Sequence, residues 1–175
     1  MYFVRTATAA DAKKIARLHV RTRRVTCWDQ ASEVVLDRQK IKRREAFWHN
    51  RLKEARGSVF VIEGDDLVGF CDLTPSRDKG ADPKITREIA AIYVVSEHFR
   101  AGAGKALCYE VLAQARKQGY KTLSLWVLAS NSDAMRFYEA LGFARDGTFK
   151  IATAPDGTNL HEIRYRIKFD RPGQT

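Results

Sequence analysis

The stretch from Glu88 to Phe143 combines two proton-exchanging side chains with a turn of the phosphate-binding type. The buried strand EIAAIYVV leads into Gly102-x-Gly104, where a helix begins. Such a turn leaves the first backbone N–H groups of the helix unpaired at the positive end of its dipole, which suits a phosphate. Arg100 and Lys105 add full positive charges. Together with the Asn and Tyr of the next strand-to-helix unit, this pattern indicates a phosphate-containing carrier beside an ionisable pair.

A glycine pair alone is weak evidence, because glycines also end strands for steric reasons. The interpretation therefore depends on what surrounds the turn.

Glu88 is the candidate general base. In the strand from Arg87 to Val95, a period of two places Glu88 on the same face as Ala90, Ile92 and Val94. A carboxylate aligned with an apolar face is desolvated and becomes more basic, as a general base requires. The alternative is a strand-end glutamate that lies in solvent or in an ordinary ion pair.

Tyr138 is the candidate general acid. A phenol with a pKa of about 10 can donate its proton to a leaving thiolate whose conjugate acid has a pKa of about 8.5. The alternative is a core tyrosine with a hydrogen-bonded hydroxyl, because Ala134, Phe137, Tyr138 and Leu141 form one helical stripe.

The rest of the chain predicts alternating strands and helices that must position these residues. Thr8-x-x-Asp11 resembles a capping box that starts a helix at about Asp11, with Ile15, Leu18 and His19 on one face. The predicted strands are 2–7, 58–64, 67–73, 87–95, 122–129, 147–153 and 161–169. The predicted helices are 11–21, 32–55, 102–118 and a last one, for which Ser130-x-x-Asp133 offers a capping box. Residues 75–84 are predicted to form a loop.

Size and composition predict one soluble domain over residues 1–170 with a frayed tail at 171–175. The 175 residues are 45% hydrophobic and 30% charged. No apolar run approaches the roughly 20 residues of a membrane span, and the amino terminus lacks an apolar secretion segment. The prediction is a cytoplasmic protein.

Cysteine and histidine spacing argues against a disulfide framework or a metal site. The three cysteines are widely separated without a CxxC pair, and the four histidines are isolated. Core filling is the favoured role of Cys108, and a catalytic thiol is the alternative.

The chain carries a formal net charge of +10, and a dense part of it lies from Arg38 to Arg44. A solvated helix face explains this run better than contact with nucleic acid.

The segments IYVVSEHFRAGAGKAL and LWVLASNSDAMRFYEALGF resemble the acetyl-coenzyme A (acetyl-CoA) binding core of the GCN5-related N-acetyltransferase (GNAT) superfamily. The resemblance is specific in Val94–Leu107 and Asn131–Phe143 and general before Leu67. It implies an α/β (α+β-like) fold with a single GNAT-type domain. Its central twisted sheet would be mixed but mostly antiparallel, with about seven strands splayed at the cofactor site and about four flanking helices.

The resemblance also implies a role for each residue. Backbone groups of Ile92, Tyr93, Val94 and Val95 would pair with the pantetheine arm, and the Val94 amide would stabilise the oxyanion. Glu88 would act through water, and Tyr138 would point at the cofactor sulfur. Phe99 departs from the Gln or Arg that the family often has there, which removes one side-chain contact. The remaining cofactor-binding residues would be Arg100, Ala101, Gly102, Ala103, Gly104 and Lys105 at the pyrophosphate, and Asn131 and Ala134 at the arm, although Asn131 is alternatively a plain helix cap.

The implied reaction is direct attack of a primary amine on acetyl-CoA in a ternary complex, with no metal. The acceptor is either a small molecule or a protein amino group. Trp28 could lie over it, with a surface-packed Trp as the alternative, and Asp29 and Asp72 could attract its ammonium group or be solvated turn residues. A homodimer is compatible with the resemblance, although no residue demands it. The alternative function is a non-catalytic acyl-CoA-binding module that docks on an acidic protein or RNA through its basic face.

Overall fold

The computed structural model describes residues 1–26, 34–54, 57–153 and 157–169 of the chain. Its strands are β1 Phe3–Thr6, β2 Ser58–Glu63, β3 Leu67–Pro75, β4 Thr86–Val94, β5 Thr122–Leu128, β6 Ala144–Thr153 and β7 Asn159–Lys168. Its α-helices are α1 Ala12–Thr26, α2 Val34–Lys53, α3 Ala103–Lys117 and α4 Ser132–Ala140, and short 3₁₀ turns cover Ala9–Asp11 and Ser96–His98.

The strands have the order β1-β2-β3-β4-β5-β7-β6 in a seven-stranded sheet. The β4–β5 ladder is parallel, whereas the β1–β2, β2–β3, β5–β7 and β6–β7 ladders are antiparallel, so the sheet is mixed. This arrangement with four α-helices confirms the predicted α/β fold class.

The described residues group into two compact units. The first comprises Met1–Leu73 with Ala91–Val111, and the second comprises Thr74–Ala90 with the described part of Leu112–Thr175. The extent of the domain, 1–170, stays a prediction, and residues 171–175 lie outside the described part of the chain.

In the first unit, the apolar face predicted for α1 is confirmed. Ile15, Leu18 and His19 are buried, and the His19 ring lies 5.5 Å from Phe70 and 5.0 Å from Tyr93. The Trp48 indole N–H of α2 donates to His19 Nδ1 at 3.3 Å. These aromatic contacts join α1 and α2 to β3 and β4 within this unit.

The capping box at the start of the first helix is also confirmed. The Thr8 backbone N–H donates to Asp11 Oδ2 at 2.7 Å, and the chain enters α1 through a 3₁₀ turn. The Arg5 guanidinium donates to both oxygens of Asp11, at 2.8 and 2.9 Å. This pairing with Arg5 lowers the pKa of Asp11 from 3.8 to about 2.

Asp11 should therefore stabilise the fold in a pH-dependent way. Its carboxylate is more acidic in the folded chain, so its contribution is complete above pH 3.8 and is lost as the pH falls through about 2. We expect Asp11→Asn to lower the free energy of unfolding at pH 7 by about 1–2 kcal/mol, with allowance for the partial exposure of Arg5. Urea unfolding of both proteins between pH 7 and pH 2 measures this difference.

The exposed Asp65→Asn is the control for the loss of one carboxylate and should leave the free energy of unfolding at pH 7 close to wild type. A wild-type advantage over Asp11→Asn that persists undiminished to pH 2 would contradict the account.

In the second unit, several predicted boundaries are wrong, and β7 begins at Asn159, not His161. Strand β6 begins at Ala144, not Gly147. Its pairing with β7 continues across a register shift between Arg145 and Phe149, so the strand includes the residues before Gly147. Gly147, at φ +82°, lies inside this irregularity instead of at the start of the strand. Pro75, predicted to open the loop, is the last residue of β3, so the loop between β3 and β4 spans 76–85.

No helix within the described ranges is both long enough and apolar enough to cross a membrane.

Candidate active site

The glycine turn of the first unit contains two residues with left-handed backbone. Gly102 has φ +88°, and Arg100 is also in the left-handed region at φ +58°. Helix α3 begins here, and the Ala106 N–H donates to the Gly102 carbonyl at 2.9 Å. The N–H groups at the start of the helix, before Ala106, have no carbonyl one turn earlier in the helix to which they could donate. A Cβ added at Gly102 would meet no atom within 4 Å. The turn therefore has open space beside Gly102.

Side chains around the turn make it electropositive. Arg100 is exposed, and the Lys105 ammonium lies 5.5 Å from the centroid of the Tyr109 ring. Phe99 is exposed as well. Two fixed cations and the positive end of a helix dipole favour an anion here.

The end of strand β4 is positioned by Gly69, a residue that sequence reasoning missed. A Cβ at Gly69 would lie 2.7 Å from the Tyr93 carbonyl oxygen and 3.1 Å from Val94 Cγ2. The Val95 N–H donates to the Val68 carbonyl at 2.9 Å. Only glycine permits this close approach, so Gly69 fixes the course of the Tyr93–Val95 backbone. The available signal was a glycine inside the apolar strand LVGFCDL.

A small cavity of about 10 Å³, enough for roughly one water, opens beside this backbone. Its walls are formed by α1, the end of β4 and the segment before the turn. The lining residues are Arg21, Thr22, Val94, Val95, Ser96 and Phe99.

Glu88 lies on β4 in the second unit and is buried, with 2% of its side chain exposed. Its environment is not purely apolar. Arg77 donates to it three times: the backbone N–H to Oε2 at 3.0 Å, Nε–H to Oε2 at 3.3 Å, and Nη2–H to Oε1 at 2.5 Å. The structure thus combines the buried position expected of the base with the ion pair of the alternative interpretation. Its catalytic role stays a prediction.

Tyr138 lies in the last turns of α4, also in the second unit, and is buried. Its ring centroid is 5.2 Å from that of Phe137 and 5.8 Å from that of Phe143. The Phe143 N–H donates to the Tyr138 carbonyl at 3.1 Å. This aromatic packing fixes the position of the Tyr138 ring and does not depend on the hydroxyl group.

Asn131 caps α4, as its alternative interpretation states. Its side-chain oxygen accepts from the Ala134 N–H at 3.0 Å, so two predicted cofactor residues bond to each other. The capping box predicted from Ser130 and Asp133 is wrong, because the cap is Asn131, one residue later. A contact of Asn131 with the cofactor stays a prediction.

Asp72, predicted near the acceptor, lies in the first unit and is buried. It accepts from Arg51 Nη2 at 2.6 Å, and that guanidinium also donates to the Leu73 carbonyl. This ion pair ties α2 to β3, and a structural role accounts for it. Trp28 and Asp29 lie outside the described residues.

The buried cysteines are poor nucleophiles. Burial raises the pKa of Cys108 to about 12 and raises that of Cys71. A thiol with such a pKa carries almost no thiolate at neutral pH, which favours core filling for Cys108. In the part of the chain that the structure describes, no three His, Cys, Asp or Glu side chains are grouped to hold a metal ion.

Comparison with known proteins extends these observations. The chain is 30% identical over 169 residues to the uncharacterized N-acetyltransferase YuaI of Bacillus subtilis strain 168, covering 93% of this chain and 91% of that protein. It is 36% identical over 112 residues to human N-acetyltransferase 8, a match that covers 63% of this chain and about half, 49%, of that protein.

The fold resembles that of yncA from Salmonella typhimurium, whose structure was solved with its cofactor acetyl-CoA. The TM-score is 0.74 at 19% identity, with 100% of this chain and 98% of that chain covered. The sequence model of the Acetyltransferase (GNAT) family matches residues 19–143. This match spans the glycine turn, Glu88, Asn131 and Tyr138, and the chain therefore belongs to the acetyltransferase (GNAT) family of enzymes.

Proposed function

We propose that this protein is an N-acetyltransferase that moves the acetyl group of acetyl-CoA to a primary amine in a ternary complex. The observation that carries the proposal is the open, positively charged turn at Gly102, whose backbone leads into the N-terminus of α3. A diphosphate is the part of acetyl-CoA that such a turn suits.

The amides of Arg100, Gly102, Ala103, Gly104 and Lys105 would hold that diphosphate. Ala101, whose N–H donates to the His98 carbonyl at 3.4 Å, would lie beside it. The backbone of Ile92–Val95 would pair with the pantetheine arm as a further strand. The register of the β4–β5 ladder supports this pairing, because it covers Thr86–Ile89 whereas β4 continues to Val94. Asn131 and Ala134 would line the arm, and neither role conflicts with the helix cap.

The chemistry then follows from three groups. The amine nitrogen attacks the thioester carbonyl carbon, the Val94 N–H stabilises the resulting oxyanion, and the carbon–sulfur bond breaks. Tyr138 supplies a proton to the departing sulfur, and Glu88 accepts the proton of the amine through a water molecule. A free alkylamine has a pKa of about 10.4, so removing its proton is a substantial part of the barrier at neutral pH.

The acceptor is a primary amine, either of a small molecule or of a protein. Release of free thiol from acetyl-CoA, measured across a panel of small amines and amino-terminal and lysine peptides, tests the function. We expect release with at least one acceptor class. If acetyl-CoA binds tightly but no acceptor in the panel causes thiol release, the result would instead indicate a non-catalytic binding module.

Glu88→Gln tests the proposed base. The amide cannot accept the proton, so we expect kcat to fall by about ten-fold or more at pH 7 and the acidic limb of the pH–rate profile to disappear. Acetyl-CoA affinity should stay at the wild-type value. A variant profile that keeps its acidic limb would place the base elsewhere.

A further inference from the structure

The guanidinium of Arg77 covers the carboxylate of Glu88. The Glu88 side chain is only 2% exposed, whereas that of Arg77 is 69% exposed. The guanidinium contacts one carboxylate oxygen at 2.5 Å and the other at 3.3 Å. A cation that lies largely in solvent thus pairs with a carboxylate that is almost fully enclosed.

This contact occupies lone pairs that the Glu88 carboxylate would need to accept a proton as a base. A carboxylate has about four lone-pair sites for hydrogen bonds. Arg77 fills three of them with its backbone N–H, its Nε–H and its Nη2–H. An acceptor ammonium, or the water that carries its proton, needs sites that the guanidinium now occupies.

The backbone beside Arg77 is anchored independently of its side chain. The next residue, Asp78, accepts from the Trp126 indole N–H at 3.1 Å and from Arg164 Nη1 at 3.0 Å. The Asp78 carboxylate is 8% exposed, so these bonds are sheltered from water. The backbone N–H that Arg77 donates to Glu88 is therefore held in place independently of the guanidinium, whose side chain is 69% exposed.

We propose that the Arg77 guanidinium occupies the place at Glu88 that the acceptor's ammonium group takes when it binds, before the proton is transferred through water, and competes with it for that place. This inference rests on the proposed function. An ammonium replaces the guanidinium well because both are cations that donate N–H bonds to a carboxylate. Arg77 thereby selects acceptors that bind as ammonium cations. It disfavours neutral amines such as anilines, because a neutral group does not replace the positive charge of the guanidinium beside Glu88. Arg77 is a specificity-determining residue and does not take part in proton transfer.

Steady-state kinetics of Arg77→Met test the competition, with the amine identified by thiol release as the varied substrate. We expect KM for the amine to fall about three-fold, because the competing guanidinium is itself largely exposed to solvent, while kcat stays within about two-fold. The matched control is Lys79→Met, which removes an exposed cation from the same loop and should behave as wild type. Arg77→Lys, which keeps one charge but loses the two-pronged contact, should give an intermediate KM.

Two further results follow from the same competition. Methylguanidinium, a free copy of the competing group, should inhibit Arg77→Met more strongly than wild type and competitively with the amine. In a Glu88→Gln background, Arg77→Met should change neither KM nor this inhibition.

The outcomes separate this inference from the proposed function. A fall in kcat with unchanged KM would show that Arg77 positions Glu88 and would overturn the competition. Unchanged kinetics in Arg77→Met, with a slowed Glu88→Gln, would reject the role of Arg77 alone. Failure of the wild type to release thiol with any amine would reject both proposals.

Discussion

Replacing Tyr138 by Phe should lower kcat by about ten- to a hundred-fold, within the range of general acid catalysis. The substitution removes only the hydroxyl, so the thiolate must leave without a proton. The ring contacts with Phe137 and Phe143 are kept, and the fold should be retained. The affinity for acetyl-CoA should stay near the wild-type value. Single-turnover acetylation and calorimetric binding of acetyl-CoA measure the two quantities separately.

Tyr165→Phe is the matched control for Tyr138→Phe. Tyr165 is a buried phenol of the same unit, and its hydroxyl donates to Glu139 Oε1 at 2.8 Å. Losing that hydroxyl should lower stability and leave kcat close to wild type. Unchanged turnover of Tyr138→Phe with a good acceptor would remove Tyr138 from the mechanism and leave it as a core residue.

Gly102→Val should weaken acetyl-CoA binding by at least about thirty-fold, or about 2 kcal/mol. A β-branched residue is strained at φ +88°, and its side chain would fill the open space where the diphosphate is proposed to bind. Gly80→Val is the matched control, because Gly80 has φ +81° and equally open surroundings but lies in the loop between β3 and β4.

Both valine variants should lose a similar amount of stability, because their backbone strain is similar, and thermal unfolding measures that loss. Calorimetric titration then separates strain from binding. Equal acetyl-CoA affinities of the two variants would show that the Gly102 turn does not hold the cofactor.

The features that the sequence predicted well are local in the chain. The capping box of Thr8 and Asp11 and the start of α3 at the glycine turn depend on neighbouring residues, and both were predicted from residue types and spacing alone. The α/β fold class was implied by the resemblance to the GNAT superfamily and is confirmed. The strand period made Glu88 a candidate base and the acidity of a phenol made Tyr138 a candidate acid, and the resemblance supplied their places in the reaction.

The features that the sequence left unpredicted depend on contacts between distant elements. The approach of Gly69 to the Tyr93 carbonyl requires two adjacent strands to be placed first. The pairing of Arg77 with Glu88 depends on how the loop between β3 and β4 folds back, and that course is fixed by Asp78, Trp126 and Arg164. The turn-forming residues of this segment predicted a loop, but they did not predict that the loop would place the Arg77 guanidinium against Glu88.

The central claim is that the turn around Gly102 holds the diphosphate of acetyl-CoA. Calorimetric titration of the wild type with acetyl-CoA and with acetyl-pantetheine, which lacks the diphosphate, tests it most directly. We expect one acetyl-CoA to bind per chain and acetyl-pantetheine to bind at least about thirty-fold more weakly. In Gly102→Val, the affinities for acetyl-CoA and acetyl-pantetheine should differ less than in the wild type. Absence of heat with acetyl-CoA, or equal affinity for the two ligands, would contradict the account.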